Sequence, residues 1–237
     1  MRRTSALLTT ALLAGAAALA APATSAQAAP ACSAYAAGFN AMGTCTGLDP
    51  MQTWSVTANC LYWNADHTMQ FSRPAFGGLG IGDGTVSASC GFGDTIMFPR
   101  VMLGAVPPAG PTGQITGYAS KCVDVKGANF GNGTPVQIYD CNGTWAQKWR
   151  IGVDGTIRAI GKCLDVSGGN TGNGTKVQIY DCNGTGAQQW QARPDGSLLN
   201  PQSGRCLDDL GFSTANGNQL GIWDCNGAEN QKWNLPA

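Results

Sequence analysis

The residues with the most evident chemistry are ten cysteines, one histidine and a set of aspartates accompanied by a single glutamate, Glu229. Cysteines serve metal ligation, redox catalysis or disulfide bonding. Structural zinc needs closely spaced Cys/Cys or Cys/His pairs, and this chain has no C-x-x-C and only His67. No metal site and no cofactor are therefore expected. An even number of cysteines in an exported chain reads as a disulfide framework. Glycoside hydrolysis usually needs two carboxyl groups flanking the scissile bond, for which the first half of the chain offers Asp49, Asp66, Asp83 and Asp94. A Ser/His/Asp hydrolase would have to use His67, in the loop-like Asn64-Ala65-Asp66-His67-Thr68, and no G-x-S-x-G is present. No catalytic residue is assigned.

Export is read from the N-terminus. Arg2 and Arg3 precede an apolar run from Leu7 to Ala20, and Ala26-Gln27-Ala28 offers an A-x-A cleavage site. That order is a secretory signal peptide over residues 1–28; a twin-arginine signal fits less well. The run is too short to span a bilayer, so a secreted, extracellular protein without membrane insertion is expected. Without Arg2 and Arg3 the 14 acidic side chains slightly outnumber the basic ones. A nucleic-acid partner would call for a basic stripe, which is absent. A monomer is expected.

Six of the cysteines belong to a threefold repeat. Lys121-Cys122-Val123-Asp124-Val125 is answered by Lys162-Cys163-Leu164-Asp165-Val166 and by Arg205-Cys206-Leu207-Asp208-Asp209. Val136-Gln137-Ile138-Tyr139-Asp140-Cys141 is answered by Val177-Gln178-Ile179-Tyr180-Asp181-Cys182 and by Leu220-Gly221-Ile222-Trp223-Asp224-Cys225. Each unit closes on Q-x-W: Gln147–Trp149, Gln188–Trp190 and Gln231–Trp233. The two cysteines of a unit are always 19 apart, and the units step by 41 and then 43 residues. The extra two residues fall between Trp190 and Cys206, in the Asn200–Gly204 loop. Equal spacing argues for pairing within each unit, Cys122–Cys141, Cys163–Cys182 and Cys206–Cys225, each worth about 3 kcal/mol.

The elements that must carry these residues are short strands. Val136–Tyr139 and Val177–Tyr180 alternate apolar and polar positions. Asp154-Gly155 and Asp195-Gly196 read as hairpin turns. A charged fraction of 12% with 34 glycines suits a turn-rich, all-β chain rather than long amphipathic helices. A period near 40 also occurs in helical arrays and propellers. The units lack a 3.6-residue apolar period, and propellers normally use more than three blades. Three four-stranded units closing on one barrel remain.

These motifs resemble the ricin-B-type lectins, also grouped as family 13 carbohydrate-binding modules. The resemblance implies a β-trefoil over residues 113–237 with up to three sugar pockets for glycans or polysaccharide, galactose- or xylose-containing. In such sites a carboxylate accepts hydrogen bonds from adjacent sugar hydroxyls, and an aromatic face packs on the pyranose C–H face. Carried over, unit one would use Asp124, Gln137, Tyr139 and Gln147, and unit two Asp165, Gln178, Tyr180 and Gln188. Unit three would use Asp208, Trp223, Asn230 and Gln231. Three departures stand out: Ala146 and Ala187 occupy positions where the family often places asparagine, and Gly221 replaces the unit-three glutamine. Asn132-Gly133-Thr134, Asn142-Gly143-Thr144, Asn173-Gly174-Thr175 and Asn183-Gly184-Thr185 match glycosylation sequons. Their recurrence at equivalent positions favours turns.

Residues 29–106 read as a separate small β-rich unit stapled by Cys32, Cys45, Cys60 and Cys90, with 107–112 as a short stiff linker. Sequential pairing, 32–45 and 60–90, is the simplest of three connectivities. Strands are expected at Trp54–Ala58, Thr85–Ser89 and Thr95–Val101. The function expected is a non-catalytic secreted lectin with weak multivalent sites. The alternatives are a small secreted glycoside hydrolase or other hydrolase with an appended binding module, and a structural trefoil that binds or inhibits a protein.

Overall fold

A computed structural model describes residues 29–237; the expected signal peptide lies outside the described residues. The first part of the chain forms β1 (Ala31–Ala37), β2 (Asn40–Thr46), β3 (Thr53–Trp63), β4 (Gln70–Phe76), β5 (Gly80–Ile81), β6 (Gly84–Ser89) and β7 (Thr95–Leu103). One sheet has the order β1-β2-β6; the other has β4-β3-β5, with β7 also paired to β3. All these pairs are antiparallel.

The two sheets face each other because β2 and the first half of β3 bury every second residue. They approach closely at Gly43, where a Cβ would lie 3.0 Å from the Val56 Cβ. The shared core is made of small side chains, Ala41, Val56, Ala58, Ala75 and Ala88 among them. Leu48 and the buried Trp54 form a second cluster against Cys45, and two disulfides cross-link the unit: Cys32–Cys45 joins register partners on β1 and β2, and Cys60–Cys90 joins β3 to the residue after β6.

The second part is the trefoil. Its strands are β8 (Thr112–Gly113), β9 (Cys122–Val125), β10 (Thr134–Tyr139), β11 (Trp149–Ile151), β12 (Ile157–Ala159), β13 (Lys162–Val166), β14 (Val177–Tyr180), β15 (Gln191–Ala192), β16 (Leu198–Asn200), β17 (Arg205–Asp209) and β18 (Leu220–Asp224). The helical elements among the described residues are single 3-10 turns, and none is long and apolar enough to cross a membrane. One core fills the barrel with threefold-equivalent residues: Val123, Leu164 and Leu207; Ile138, Ile179 and Ile222; Trp149, Trp190 and Trp233. Each indole N–H donates to the carbonyl oxygen just before the repeat aspartate, on Val123, Leu164 and Leu207, at 2.8, 2.9 and 3.0 Å. The Q-x-W tryptophan therefore holds the strand that carries the aspartate. The three disulfides pair within units, Cys122–Cys141, Cys163–Cys182 and Cys206–Cys225.

Three connections set the position of the clefts and of the first part of the chain. The two extra residues of unit three lie between β16 and β17, where Pro201–Gly204 takes the place of Ile160-Gly161 between β12 and β13. The 107–112 segment is fastened rather than free: the N–H groups of Ile151 and Val153 donate to Pro111 and Ala109 at 3.0 Å each. Gly110 is needed there, since a Cβ would meet the Ile151 carbonyl oxygen at 1.9 Å. The third connection joins the two parts: Arg150, on the trefoil and buried, pairs with Asp49 at 2.8 Å, and Leu79 and Ile81 pack on the trefoil core.

Candidate functional site

Each repeat places its candidate residues on one hairpin. Asp124 on β9 lies opposite Gln137 on β10, Asp165 on β13 opposite Gln178 on β14, and Asp208 on β17 opposite Gly221 on β18. Directly opposed residues of an antiparallel pair share a face, and the ring two residues further along projects from that face as well. Tyr139 and Tyr180 are each 38% exposed and Trp223 is 42% exposed, so all three rings are open to contact.

In units one and two each aspartate is held by two amides. Gln137 Nε2 donates to Asp124 Oδ1 at 2.9 Å and Gln147 Nε2 to Oδ2 at 3.1 Å. Gln178 and Gln188 hold Asp165 at 2.9 and 3.0 Å. An ionised carboxylate has about four lone-pair sites, so both keep acceptor capacity facing outward. Burial pushes the Asp124 carboxyl above its ordinary pKa, against the pull of the Gln137 and Gln147 hydrogen bonds.

The Q-x-W glutamines take a different position. Gln147, Gln188 and Gln231 have no exposed surface. The second hydrogen of each amide goes to a backbone carbonyl, of Asp140, Asp181 and Asp224. Each side-chain oxygen accepts from a backbone N–H, of Asn142, Asn183 and Asn226. They sit behind the aspartates and tie them to the segment that follows the aromatic ring.

Two clefts open at these hairpins. The first, of about 570 Å³, includes Asp124, Gln137, Tyr139, Asn142 and Ala146, with Gly217 from unit three. The second, of about 500 Å³, includes Asp165, Gln178, Tyr180, Asn183 and Ala187. Both fall in the size range of small-ligand sites. The rims add residues outside the sequence motifs, Lys126-Gly127-Ala128 in the first and Gly168-Gly169 and Gln202 in the second, together with Thr144 and Thr185 of the Asn-Gly-Thr turns. In the sequence these rims are marked by the glycine that recurs two residues after each Asp-bearing strand, Gly127, Gly168 and Gly211; Gln202 is marked only by its place in the insertion.

Unit three differs. A Cβ on Gly221 would lie 2.6 Å from Leu210 Cδ1 and 2.7 Å from the Thr175 carbonyl oxygen, so no glutamine fits. Asp208 keeps the Gln231 bond at 2.8 Å, and burial raises its pKa. Asn230 is buried and donates to the Asp209 carbonyl oxygen at 3.1 Å.

The sequon asparagines do structural work. Asn132 Nδ2 donates to Asp181 at 2.7 Å while its Oδ1 accepts from the Asp181 N–H. Asn173 bonds Asp224, and Asn216 bonds Asp140, in the same two ways. Each unit thus clips onto the next beside its aromatic ring. Asn142 and Asn183 close local turns onto Thr144 and Thr185.

The model of the ricin-type beta-trefoil lectin domain family matches residues 111–233. The chain belongs to this family. Among relatives of this ricin-type chain, Serine protease 1 of Rarobacter faecitabidus is 42% identical over 50 residues, which are 21% of this chain and 10% of that protein. Agglutinin of Ricinus communis is 42% identical over 53 residues, 22% of this chain and 9% of that protein. The chain thus spans about a tenth of the length of the curated relatives it matches. A designed 3-fold symmetric protein, ThreeFoil, superposes with a TM-score of 0.51 at 31% identity, covering 53% of this chain and 98% of the design.

Proposed function

We propose that this ricin-type chain is an exported, non-catalytic protein that holds glycans or polysaccharide in the clefts at Asp124/Tyr139 and Asp165/Tyr180. The carrying observation is one arrangement built twice: a buried carboxylate, two glutamine amides fixing it, and an exposed ring beside it. The carboxylate would accept from neighbouring pyranose hydroxyls, and the ring would cover the sugar's C–H face. Gln147, Gln188 and Gln231 act as positioning residues in this reading. Unit three, with Asp208, Trp223 and Asn230, is the weakest of the three sites because Leu210 fills the place of its glutamine.

The same reading assigns 1–28 to a signal peptide, 29–106 to an accessory β-rich unit, 107–112 to the join and 113–237 to the lectin. Five disulfides support an oxidising, extracellular destination. The aspartates of the accessory unit have structural partners: Asp49 pairs with Arg150, Asp94 with Arg73, Asp83 accepts from the Leu48 N–H, and Asp66 from Thr68. This favours binding over hydrolysis. Galactose- and xylose-containing glycans are the first to test. A glycan array with the full chain should show binding that the Asp124→Ala/Asp165→Ala double variant loses while keeping its unfolding temperature. A double variant that binds as the parent does would refute the site assignment.

A further inference from the structure

The second cleft holds a residue that the repeat pattern does not supply. The loop inserted between β16 and β17 carries Gln202 into the wall of the Asp165 cleft, beside Ala187. Ala187 is where an asparagine is missing from the expected site. We propose that Gln202 replaces that amide, so that the second cleft recognises one more hydroxyl of a pyranose than the first. This rests on the carbohydrate-binding reading of the two clefts.

The loop is built to hold Gln202 in place. Asn200, with no exposed surface, donates from Nδ2 to the carbonyl oxygens of Gly186 and Gln189, both at 2.9 Å. Its Oδ1 accepts from the Ser203 N–H at 3.0 Å. The insertion is thereby bolted to the turn that carries Ala187. Gln202 itself donates from Nε2 to the Gly169 carbonyl oxygen at 2.9 Å. Its Oε1 accepts no hydrogen bond from the described residues and remains available to a hydroxyl donor.

The neighbours of Gln202 fit this role. A Cβ on Gly186 would meet Gln202 Oε1 at 2.5 Å, and a Cβ on Gly169 would meet Nε2 at 3.3 Å. The equivalent positions are Trp145 and Ala128 in unit one, and Glu229 and Phe212 in unit three. Glycine at both positions occurs in the one unit whose cleft receives the longer loop. Gly186 has no positive φ to explain it, so room for Gln202 is its structural reason. At the first cleft the corresponding connection is Ile160-Gly161, between β12 and β13, and neither residue lines that cleft.

The test isolates each cleft in the full chain. Asp124→Ala leaves the second cleft, and Asp165→Ala leaves the first. Gln202→Met keeps the side-chain length and removes its hydrogen bonds. Binding of methyl β-galactopyranoside and methyl β-xylopyranoside, and of their singly deoxygenated analogues, is measured by titration. In the Asp124→Ala background, Gln202→Met should weaken the preferred glycoside about tenfold, the loss of one hydrogen bond. It should also abolish discrimination against one particular deoxy analogue, which a merely structural role would not do. In the Asp165→Ala background it should change nothing. If Gln202→Met leaves affinity and deoxy discrimination intact while Asp165→Ala removes the second cleft's binding, Gln202 is no part of recognition and the carbohydrate-binding reading survives. If Asp165→Ala also changes nothing, that reading falls and this proposal with it.

Discussion

Asp209 is a carboxylate where the other two repeats place Val125 and Val166. It has no exposed surface; Asn218 donates to its Oδ1, and its Oδ2 has no partner. Burial first, and the nearby Asp208 charge as well, push its pKa up to about 6. A carboxyl whose pKa is raised on folding binds its proton more tightly in the folded state. Its penalty is absent below the unfolded pKa near 4 and grows as pH rises to about 6. At neutral pH the cost is on the order of 3 kcal/mol. Asp140 and Asp181 work oppositely: hydrogen bonds from Lys121 and Lys162 lower their pKa values, so their contribution disappears as pH falls. The informative quantity is therefore the difference between variant and parent. Asp209→Asn, which keeps the volume and removes the charge, should raise the unfolding temperature at pH 7 and leave it nearly unchanged at pH 4. Equal effects at both pH values would show that the charge is not what costs stability there.

At the scale of one hairpin, unit three shows how a repeat departs from its siblings without losing its fold. Gly221 is hemmed in by Leu210 on its own unit and by the Thr175 backbone of unit two. Gly221→Gln should therefore cost roughly 1–3 kcal/mol by overpacking. Adding Leu210→Ser, the unit-two residue at that position, should not rescue it, because the Thr175 carbonyl stays. Chemical denaturation of the single and double variants decides the matter; full recovery in the double would put the whole obstruction on Leu210. Most of this architecture was legible in the sequence, because equal Cys-to-Cys and Cys-to-Trp spacings leave little freedom to a threefold barrel. The hairpins, the three repeat disulfides and the place of the insertion follow from that arithmetic. In the first part of the chain only the cores of β3, β6 and β7 were legible. β1 and β2 are rich in alanine, glycine and other small residues, and β4 contains Pro74, all weak strand signals. Clips such as Asn132 onto Asp181 were not legible either, since they join residues 49 apart on different units. Nor does a Q-x-W motif say that its glutamine lies behind the aspartate; that comes from the burial of Gln147, Gln188 and Gln231.

At the scale of the whole molecule, the β-rich first part is anchored to the trefoil through Arg150–Asp49 and through Leu79 and Ile81, and the segment between them runs hydrogen-bonded along β11. The two well-formed clefts belong to one rigid barrel, built on successive repeats whose β10 and β14 pair directly. Rigidity fixes their separation and direction, which matters for a polymeric ligand. Once one cleft holds a chain, the other meets it at an effective concentration set by that geometry, and avidity can exceed single-site affinity by two or more orders of magnitude. A monosaccharide gains nothing from this. Asp124→Ala and Asp165→Ala, made singly, should therefore each weaken binding to an immobilised polysaccharide by about tenfold or more. The intact cleft in each variant should keep its affinity for a methyl glycoside. Surface capture on galactan or xylan, set beside titration with the matching glycoside, separates the two cases. If each single variant only halves the number of sites on the polymer and leaves the apparent affinity unchanged, the clefts engage ligands independently.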